Sequence, residues 1–354
     1  MAVDVQFQAW QTFSYQQGRL RGGIIPAIFF GAASFPVPNL FNLDNIAHSV
    51  NLFFTGSRPM PLQQLVEYFN DRLEQEHNSG FRPFILENDT VHGLFGPIRI
   101  GSVLSPIRET LRSAHVVGHA AQLTVAANQT QTIQSGELEN LLALPTGQTS
   151  GSESIVNFDR LSRAVHMLNY LPQSHLDELL FLDVDPRHIL GVKEDHGAYF
   201  EEVIVKCGLQ TANVAISMTV NSVYARFYQS LLKGLHNYQR RGYRLALKFD
   251  YHALEKSAIE LISRAAPDFV GLSAHNLERI RDNKLLEKLQ QLNSLVDSIN
   301  GRSIMLNVDD KRTAALARKT RFDLVQGEYF EQTASAVTLG QQPEGTNERQ
   351  AYRL

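Results

Sequence analysis

Phe322-Asp323-Leu324-Val325-Gln326-Gly327-Glu328-Tyr329-Phe330 is the stretch on which the reading of this chain turns. Leu324 and Val325 form a short aliphatic step between Asp323 and a Gln-Gly pair. Upstream lie Ser303-Ile304-Met305-Leu306-Asn307-Val308, with a strand pattern, and a short helix carrying Ala314, Ala315 and Leu316. A strand, a helix and a second strand form the repeating unit of parallel α/β proteins. The same unit can therefore be sought further upstream.

It recurs. Leu123-Thr124-Val125-Ala126, Leu179-Leu180-Phe181-Leu182-Asp183-Val184, Val214-Ala215-Ile216-Ser217-Met218, Arg244-Leu245-Ala246-Leu247-Lys248 and Phe269-Val270-Gly271-Leu272 all read as strands. One intervening helix carries Phe227, Leu231, Leu232, Leu235 and Tyr238; another carries Leu285, Leu286, Leu289, Leu292, Val296 and Ile299. Alternation over this length fits an α/β barrel, whose functional residues stand at the C-terminal ends of the strands.

Residues 1–116 read as a separate, mostly helical α/β extension, an accessory or sensory module that matches no recognised family. A helix is predicted from Leu62 to about Glu76, with Leu62, Leu65, Val66, Phe69 and Leu73 at helical spacing behind Pro59 and Pro61. A second is predicted from Pro106 to about His119 through Leu111, Val116 and Val117. On that helix His115 and His119 share a face and could ligate zinc, but no third ligand has matching spacing, so exposed helix histidines are the simpler reading. Residues 117–335 form the barrel domain, and 336–354 read as a mobile polar tail.

With 33 basic and 36 acidic residues the net charge is −3, which gives no electrostatic argument for a nucleic acid polymer or an anionic membrane. The longest apolar run, Ile24 to Phe30, is far short of the roughly 20 residues of a membrane span. The N-terminus has no basic region ahead of an apolar run, so no signal peptide is read there. One cysteine, Cys207, excludes an internal disulfide and reads as a buried small apolar residue. A cytoplasmic location is expected.

The order of these segments resembles the EAL domain, the phosphodiesterase that linearises the bacterial second messenger cyclic di-GMP. The resemblance implies a modified TIM (β/α)8 barrel. It places the family's Glu-Ala-Leu signature on Glu139-Asn140-Leu141, within Ser135 to Gly147, and puts Ala143 where the family has a phosphate-binding arginine. The family's metal-binding asparagine falls on Asp183, and Asp183-Val184-Asp185-Pro186-Arg187-His188 is a family-like run, with Asp185 read as a cap or turn residue. The two carboxylates of "E-I-T-E" fall on Ser217 and Val220. The paired aspartates fall on Lys248 and Phe249. In "D-x-I-K-x-D" the lysine falls on Gly271 and the last aspartate on Ser273, with Asp268 kept. In "A-E-G-V-E" the first glutamate falls on Leu306 and the second on Asp309, while Gln326 and Gly327 are kept.

Two divalent ions roughly 3.5–4 Å apart need several hard oxygen donors. Only Glu139, Asp183, Asp268 and Asp309 survive from the family's carboxylates, and Lys248 adds a positive charge that can pair with Asp268 or Asp309 in place of a metal. The resemblance therefore implies a degenerate, catalytically inactive member with no metal and no other cofactor. It would act in cyclic di-GMP signalling through a protein partner, and a homodimer is expected from the resemblance alone. A receptor that binds cyclic di-GMP without hydrolysis is the first alternative, with Glu139, Leu141, Asp183, Asp268, Asp309 and Gln326 as ligand-binding residues. A weak metal-dependent phosphodiesterase is the second.

Overall fold

The structure is a computed structural model that describes residues 62–77, 82–95, 98–127, 131–132, 151–173, 177–192, 196–275, 277–280 and 282–331. It divides into two compact units, Met1–Arg82 and Pro83–Leu354. In the first, helix α1 (Leu62–His77) buries Leu65, Val66, Phe69 and Leu73, the face predicted from their spacing. Arg82 folds back onto the acidic side of this helix and pairs with Glu67, Asp71 and Glu74.

Among the described residues the second unit contains eleven strands: β1 (Phe84–Glu87), β2 (Thr90–Phe95), β3 (Ile98–Glu109), β4 (Val116–Ala127), β5 (Gln131–Thr132), β6 (Leu179–Asp183), β7 (Val214–Val220), β8 (Arg244–Phe249), β9 (Phe269–Ser273), β10 (Arg302–Leu306) and β11 (Leu324–Val325). Its helices are α2 (Gly151–Tyr170), α3 (Pro186–Gly191), α4 (Ala198–Lys206), α5 (Tyr228–Arg240), α6 (Lys256–Ala265), α7 (Leu285–Ser298) and α8 (Lys311–Thr320). Eight strands close a ring in the order β3-β11-β10-β9-β8-β7-β6-β4, and β4 returns to β3. All neighbours in the ring are parallel except β3, which is antiparallel to both β4 and β11. The expected EAL-like barrel is therefore present, with one reversed strand.

The ring closes because each strand sends every second side chain inward. One interior layer takes Ile107, Phe181, Ala215, Ala246, Phe269, Ile304 and Leu324 from seven strands, and Ala120 of β4 packs against it. Two alanines between two phenylalanines leave room for the Phe181 and Phe269 rings to meet edge-on, 4.9 Å apart. Buried runs such as Val214–Met218 follow from this position, covered by the barrel interior on one face and helices on the other.

The helix predicted from Pro106 to His119 does not form. That segment is the end of β3, a turn and the start of β4. Pro106 stands opposite His119 in the ladder, next to a register shift at Ile107/Arg108. Bulges of this kind are where strands tolerate proline. Leu111, taken as part of an apolar stripe, is 88% exposed in the turn. His115 and His119 share no helix face: they lie near Glu109 and Glu178, at 3.6 and 3.1 Å. The strands and helices predicted after residue 178 all form. The predicted tail and residues 133–150 lie outside the described residues.

Helix α2 backs the β3–β4 hairpin. Asn169 pins β2 through both of its amide atoms, accepting from Val91 N at 2.8 Å and donating to Val91 O at 2.7 Å. His166 Nδ1 meets Ser102 Oγ at 2.7 Å. Two turns earlier, buried Asp159 takes Arg163 at 2.8 Å, His188 at 3.0 Å and the backbone N–H of Asp185 at 3.2 Å. Asp185 in turn caps α3 by accepting from Arg187 N, as the sequence suggested. Burial by itself would raise the Asp159 pKa, but Arg163 and His188 outweigh it and hold the group at about 2. Asp159→Ala leaves the Arg163 charge buried and uncompensated, so it should cost about 3–5 kcal/mol, read from the urea midpoint.

Burial lowers the His166 pKa to about 4. A neutral His166 therefore contributes stability that is fully present above pH 6.5, the ordinary histidine value, and is lost as pH falls toward 4. The expected loss is about 3 kcal/mol. Urea unfolding at a series of pH values checks it, and His166→Gln should flatten that segment of the profile.

Candidate functional site

The C-terminal ends of the parallel strands open on a cavity of about 230 Å³. Its floor is the top of the interior layer, through Ile107, Phe181, Ala246 and Ile304. Its walls bring Gln122 of β4, Asp183 of β6, Ser217 of β7, Lys248 of β8, Gly271 of β9, and Leu306, Asn307 and Gln326 beyond. The ladder explains the convergence: Asp183 stands opposite Ser217, and Lys248 opposite Thr219 and Gly271, so these positions point inward at neighbouring heights.

Lys248 Nζ donates to both carboxylate oxygens of Asp183, each at 2.6 Å. This is not either of the pairings expected from sequence, which put the ammonium on Asp268 or Asp309. The Lys248 side chain is 24% exposed and that of Asp183 59%, so the pair is solvated on one side. Gly271 makes room for the lysine. A Cβ there would stand 2.9 Å from Leu306 Cδ1 and 3.3 Å from Lys248 Cγ. The aliphatic parts of Leu306 and Lys248 therefore occupy the space a side chain at 271 would need.

Gln326 is the other mouth residue singled out in sequence. It is 6% exposed. Its Nε2 donates to Ser105 Oγ at 2.7 Å, and Ser105 Oγ donates to Glu331 Oε1 at 2.6 Å. The Asn307 N–H points at Gln326 Oε1, 3.4 Å away. The glycine that follows is required by close approach: at Gly327, φ 155°, a Cβ would lie 2.3 Å from Val308 N.

Of six sequence-predicted ligand residues, the fold brings Asp183 and Gln326 into the cavity. Asp268 lies at the other end of the barrel, just before β9. There it accepts from Arg244 Nη1 at 2.8 Å and Leu245 N at 2.9 Å, bracketing the starts of β8 and β9. Asp309 is exposed beyond β10, and its Oδ1 accepts from Glu328 N at 3.1 Å. Glu139 and Leu141 lie outside the described residues. The eight-stranded ring closes without residues 135–147, and its opening parallel strand is β4, which contains neither Asp nor Glu. Sequence reasoning missed Ser105, Ala120, Gln122 and Asn307. The strand read at Leu123-Thr124-Val125-Ala126 is the far half of β4, and its near half, with Ala120, was read as helix.

Among the described residues the donor set does not fit two divalent cations: the cavity wall offers one carboxylate, already engaged by an ammonium, among hydroxyl, amide and aliphatic groups. Among the described residues no group of three or more His, Cys, Asp or Glu side chains is gathered as a metal would need. Among the described residues the mouth offers neutral hydrogen-bonding groups, one lysine and the Asp183 carboxylate. Because the Lys248–Asp183 pair is solvent-facing, Lys248→Met should change stability by less than about 1 kcal/mol in chemical denaturation.

The EAL domain family model matches residues 101–333. Among solved structures, the EAL domain of Xanthomonas citri FimX in complex with c-diGMP is 13% identical. It has a TM-score of 0.53 and covers 76% of this chain and 92% of that one. A calcium/cy-diGMP complex of Klebsiella pneumoniae BlrP1 is 16% identical, with a TM-score of 0.53, over 81% of this chain and 70% of that one. A manganese/cy-diGMP complex of the same protein gives 15% identity and a TM-score of 0.52 over 64% of this chain. In that comparison the chain spans 54% of the BlrP1 length. At these identities the likeness is one of fold. No curated protein matches the chain.

Proposed function

The chain belongs to the EAL domain family, and on that premise we propose that it serves cyclic di-GMP signalling without hydrolysing the nucleotide, as a regulatory protein that acts on a protein partner. The observation that carries this reading is Lys248 seated on both oxygens of Asp183. An ammonium occupies the carboxylate that a metal-dependent member would offer to a cation. The neighbouring inward positions, Ser217, Gly271 and Leu306, supply no further charge. The match from residue 101 also puts β3 and β4 inside the family's region, so the opening strand contributes Ala120 and Gln122 rather than a carboxylate. Residues 1 to about 82 are then the accessory module, and a cytoplasmic setting belongs to the same proposal.

A second reading is favoured by the cavity itself. A mouth with Lys248, Gln122, Asn307 and Gln326 around a preformed hollow can hold a phosphate ester by hydrogen bonds and one positive charge. The chain is then a cyclic di-GMP receptor. Gln326 is held in place from behind by Ser105.

One experiment separates these readings. The purified chain is titrated with cyclic di-GMP by calorimetry, with and without Mg²⁺ or Mn²⁺, and the mixture is then separated for the linear dinucleotide. We expect no linear product with either ion. Heat without product selects the receptor reading, no heat leaves the protein partner, and metal-dependent product sinks both. Reversal should need three changes together, because Leu306 fills the space above Gly271. Lys248→Asp, Gly271→Lys and Leu306→Glu combined should take up Mn²⁺ measurably by electron paramagnetic resonance, whereas the wild type should not.

A further inference from the structure

The chain carries 36 acidic residues, yet none falls between Val203 and Phe249, a stretch that holds seven lysines and arginines. Three of these basic side chains are paired by carboxylates from outside the stretch. Glu201 takes Arg241 at 2.6 Å, Asp268 takes Arg244 at 2.8 Å and Asp183 takes Lys248 at 2.6 Å. Arg226, Lys233 and Arg240 are exposed and have no carboxylate partner among the described residues. Arg226 lies over the Phe227 ring, 4.7 Å from its centre, and Arg240 donates to Asn237 Oδ1. Both contacts leave the positive charge unanswered.

Helix α5 turns these charges to one side. Leu231, Leu232, Leu235 and Tyr238 are its buried face. Gln229, Lys233, His236 and Arg240 follow the spacing i, i+4, i+7, i+11, so they form one row about 16 Å long on the other face. Lys233, His236 and Arg240 border a single open depression. At the other end of the row Gln229 accepts from Arg264 of α6 at 3.0 Å. Beside them a hollow of about 150 Å³ lies between α5 and α6, with buried Leu232 and Leu261 beneath it and Arg226, Tyr228, Glu260 and Arg264 around it. Glu260 is engaged by Arg264 at 3.6 Å. Val223, 72% exposed, stands three residues before Arg226 in the 3-10 turn Ser222–Phe227, so the two share a face.

We propose that this face of α5 docks an acidic segment of a partner protein, its carboxylates along Arg226, Lys233 and Arg240 and one apolar side chain in the hollow over Leu232 and Leu261. The proposal rests on the protein-partner reading above and names the surface and the chemistry of that partner. The face belongs to the outer helical layer, so docking leaves the cavity at the strand ends free. Lys233 and Arg240 are seven residues, or about 10 Å, apart along the helix. Carboxylates two helical turns apart on a partner helix match that spacing. The phosphates of a nucleic acid strand, about 3.4 Å apart along the axis, call for a denser basic track. The hollow is smaller than the roughly 300–1,000 Å³ of a small-molecule pocket, and its apolar base suits a side chain better than a nucleotide. The net charge of −3 also repels a long polyanion, whereas a short acidic segment meets only the local row.

The test is fluorescence anisotropy of a labelled helical peptide, with Glu at heptad spacing and one Leu between the glutamates, titrated with the full chain at low ionic strength. A peptide with Gln in place of each Glu and a strand of oligodeoxythymidine are the comparison probes. The wild type should bind the Glu peptide and release it as salt is raised, with both comparison probes about tenfold weaker. Lys233→Glu/Arg240→Glu should lose about tenfold in affinity for the Glu peptide. Lys311→Glu/Lys319→Glu on α8 makes the same change in net charge and should bind like the wild type. All four positions are exposed, and a thermal melt verifies that both variants fold. If the wild type takes up no Glu peptide, or the two variants bind it alike, the face is not a docking site for an acidic segment. Tighter binding of oligodeoxythymidine overturns the proposal in favour of a nucleic acid. A dimer in sedimentation that Lys233→Glu/Arg240→Glu splits overturns it in favour of a second copy of the chain. Hydrolysis is read separately: metal-dependent linear dinucleotide removes the protein-partner reading and this proposal with it, whereas peptide failure without that product removes the α5 face and leaves the reading.

Discussion

Everything at the mouth depends on one reversed strand. β3 is hydrogen-bonded to β4 on one side and to β11 on the other, and without it the parallel run from β4 to β11 would be an open sheet with two bare edges. Closure fixes the register of every strand, and register decides which side chains point inward. A slip of one residue in β8 would turn Lys248 outward and Phe249 into the cavity. The closure extends into side chains as well. Gln326, just past β11, bonds to Ser105 of β3, and Ser105 bonds to Glu331 in the helical turn that follows, across sequence separations of more than two hundred residues. The Gln-Gly pair serves two purposes at once. The glutamine seals the seam, and the glycine lets Val308 approach where any side chain would collide.

The strands from β6 onward were legible because their surroundings leave no ambiguity. Buried on both faces, they read as short continuous apolar runs between helices with a clear stripe. The hairpin was not legible for a physical reason. β3 and β4 are half in the barrel and half above it, so their pattern mixes buried, half-buried and exposed positions, and the turn between them holds an exposed Leu111. With Pro106 taken as a helix start, Leu111, Val116 and Val117 imitate a helical stripe. The second strand was legible in part, through Leu123-Thr124-Val125-Ala126, which forms the far half of β4. Glu139 lies outside the described residues.

Position along a strand also separated the true mouth residues from the rest. Asp183 is at the end of β6 and Asp268 just before β9, so one carboxylate reaches the cavity and the other the opposite rim. A linear motif cannot express that difference unless strand direction is considered with it. Asp268 has an adequate role where it stands, since it satisfies Leu245 N and pairs with Arg244. Asp309 likewise satisfies Glu328 N. An acidic residue is therefore a weak witness of ligand or metal chemistry when a backbone donor already accounts for it.

The Lys248–Asp183 pair answers a charge problem more cheaply than an empty site would. An acidic mouth without its cations repels itself, and an isolated lysine there would repel any cation and lack a partner. One ammonium on one carboxylate leaves the mouth neutral, and with both groups partly in water the pair adds little to stability. On the receptor reading, its effect is on recognition. Two bound dications hold a phosphate through charge, which tolerates variation in the rest of the ligand. A neutral mouth with a single lysine holds a phosphate weakly, so discrimination must come from hydrogen bonds and shape elsewhere.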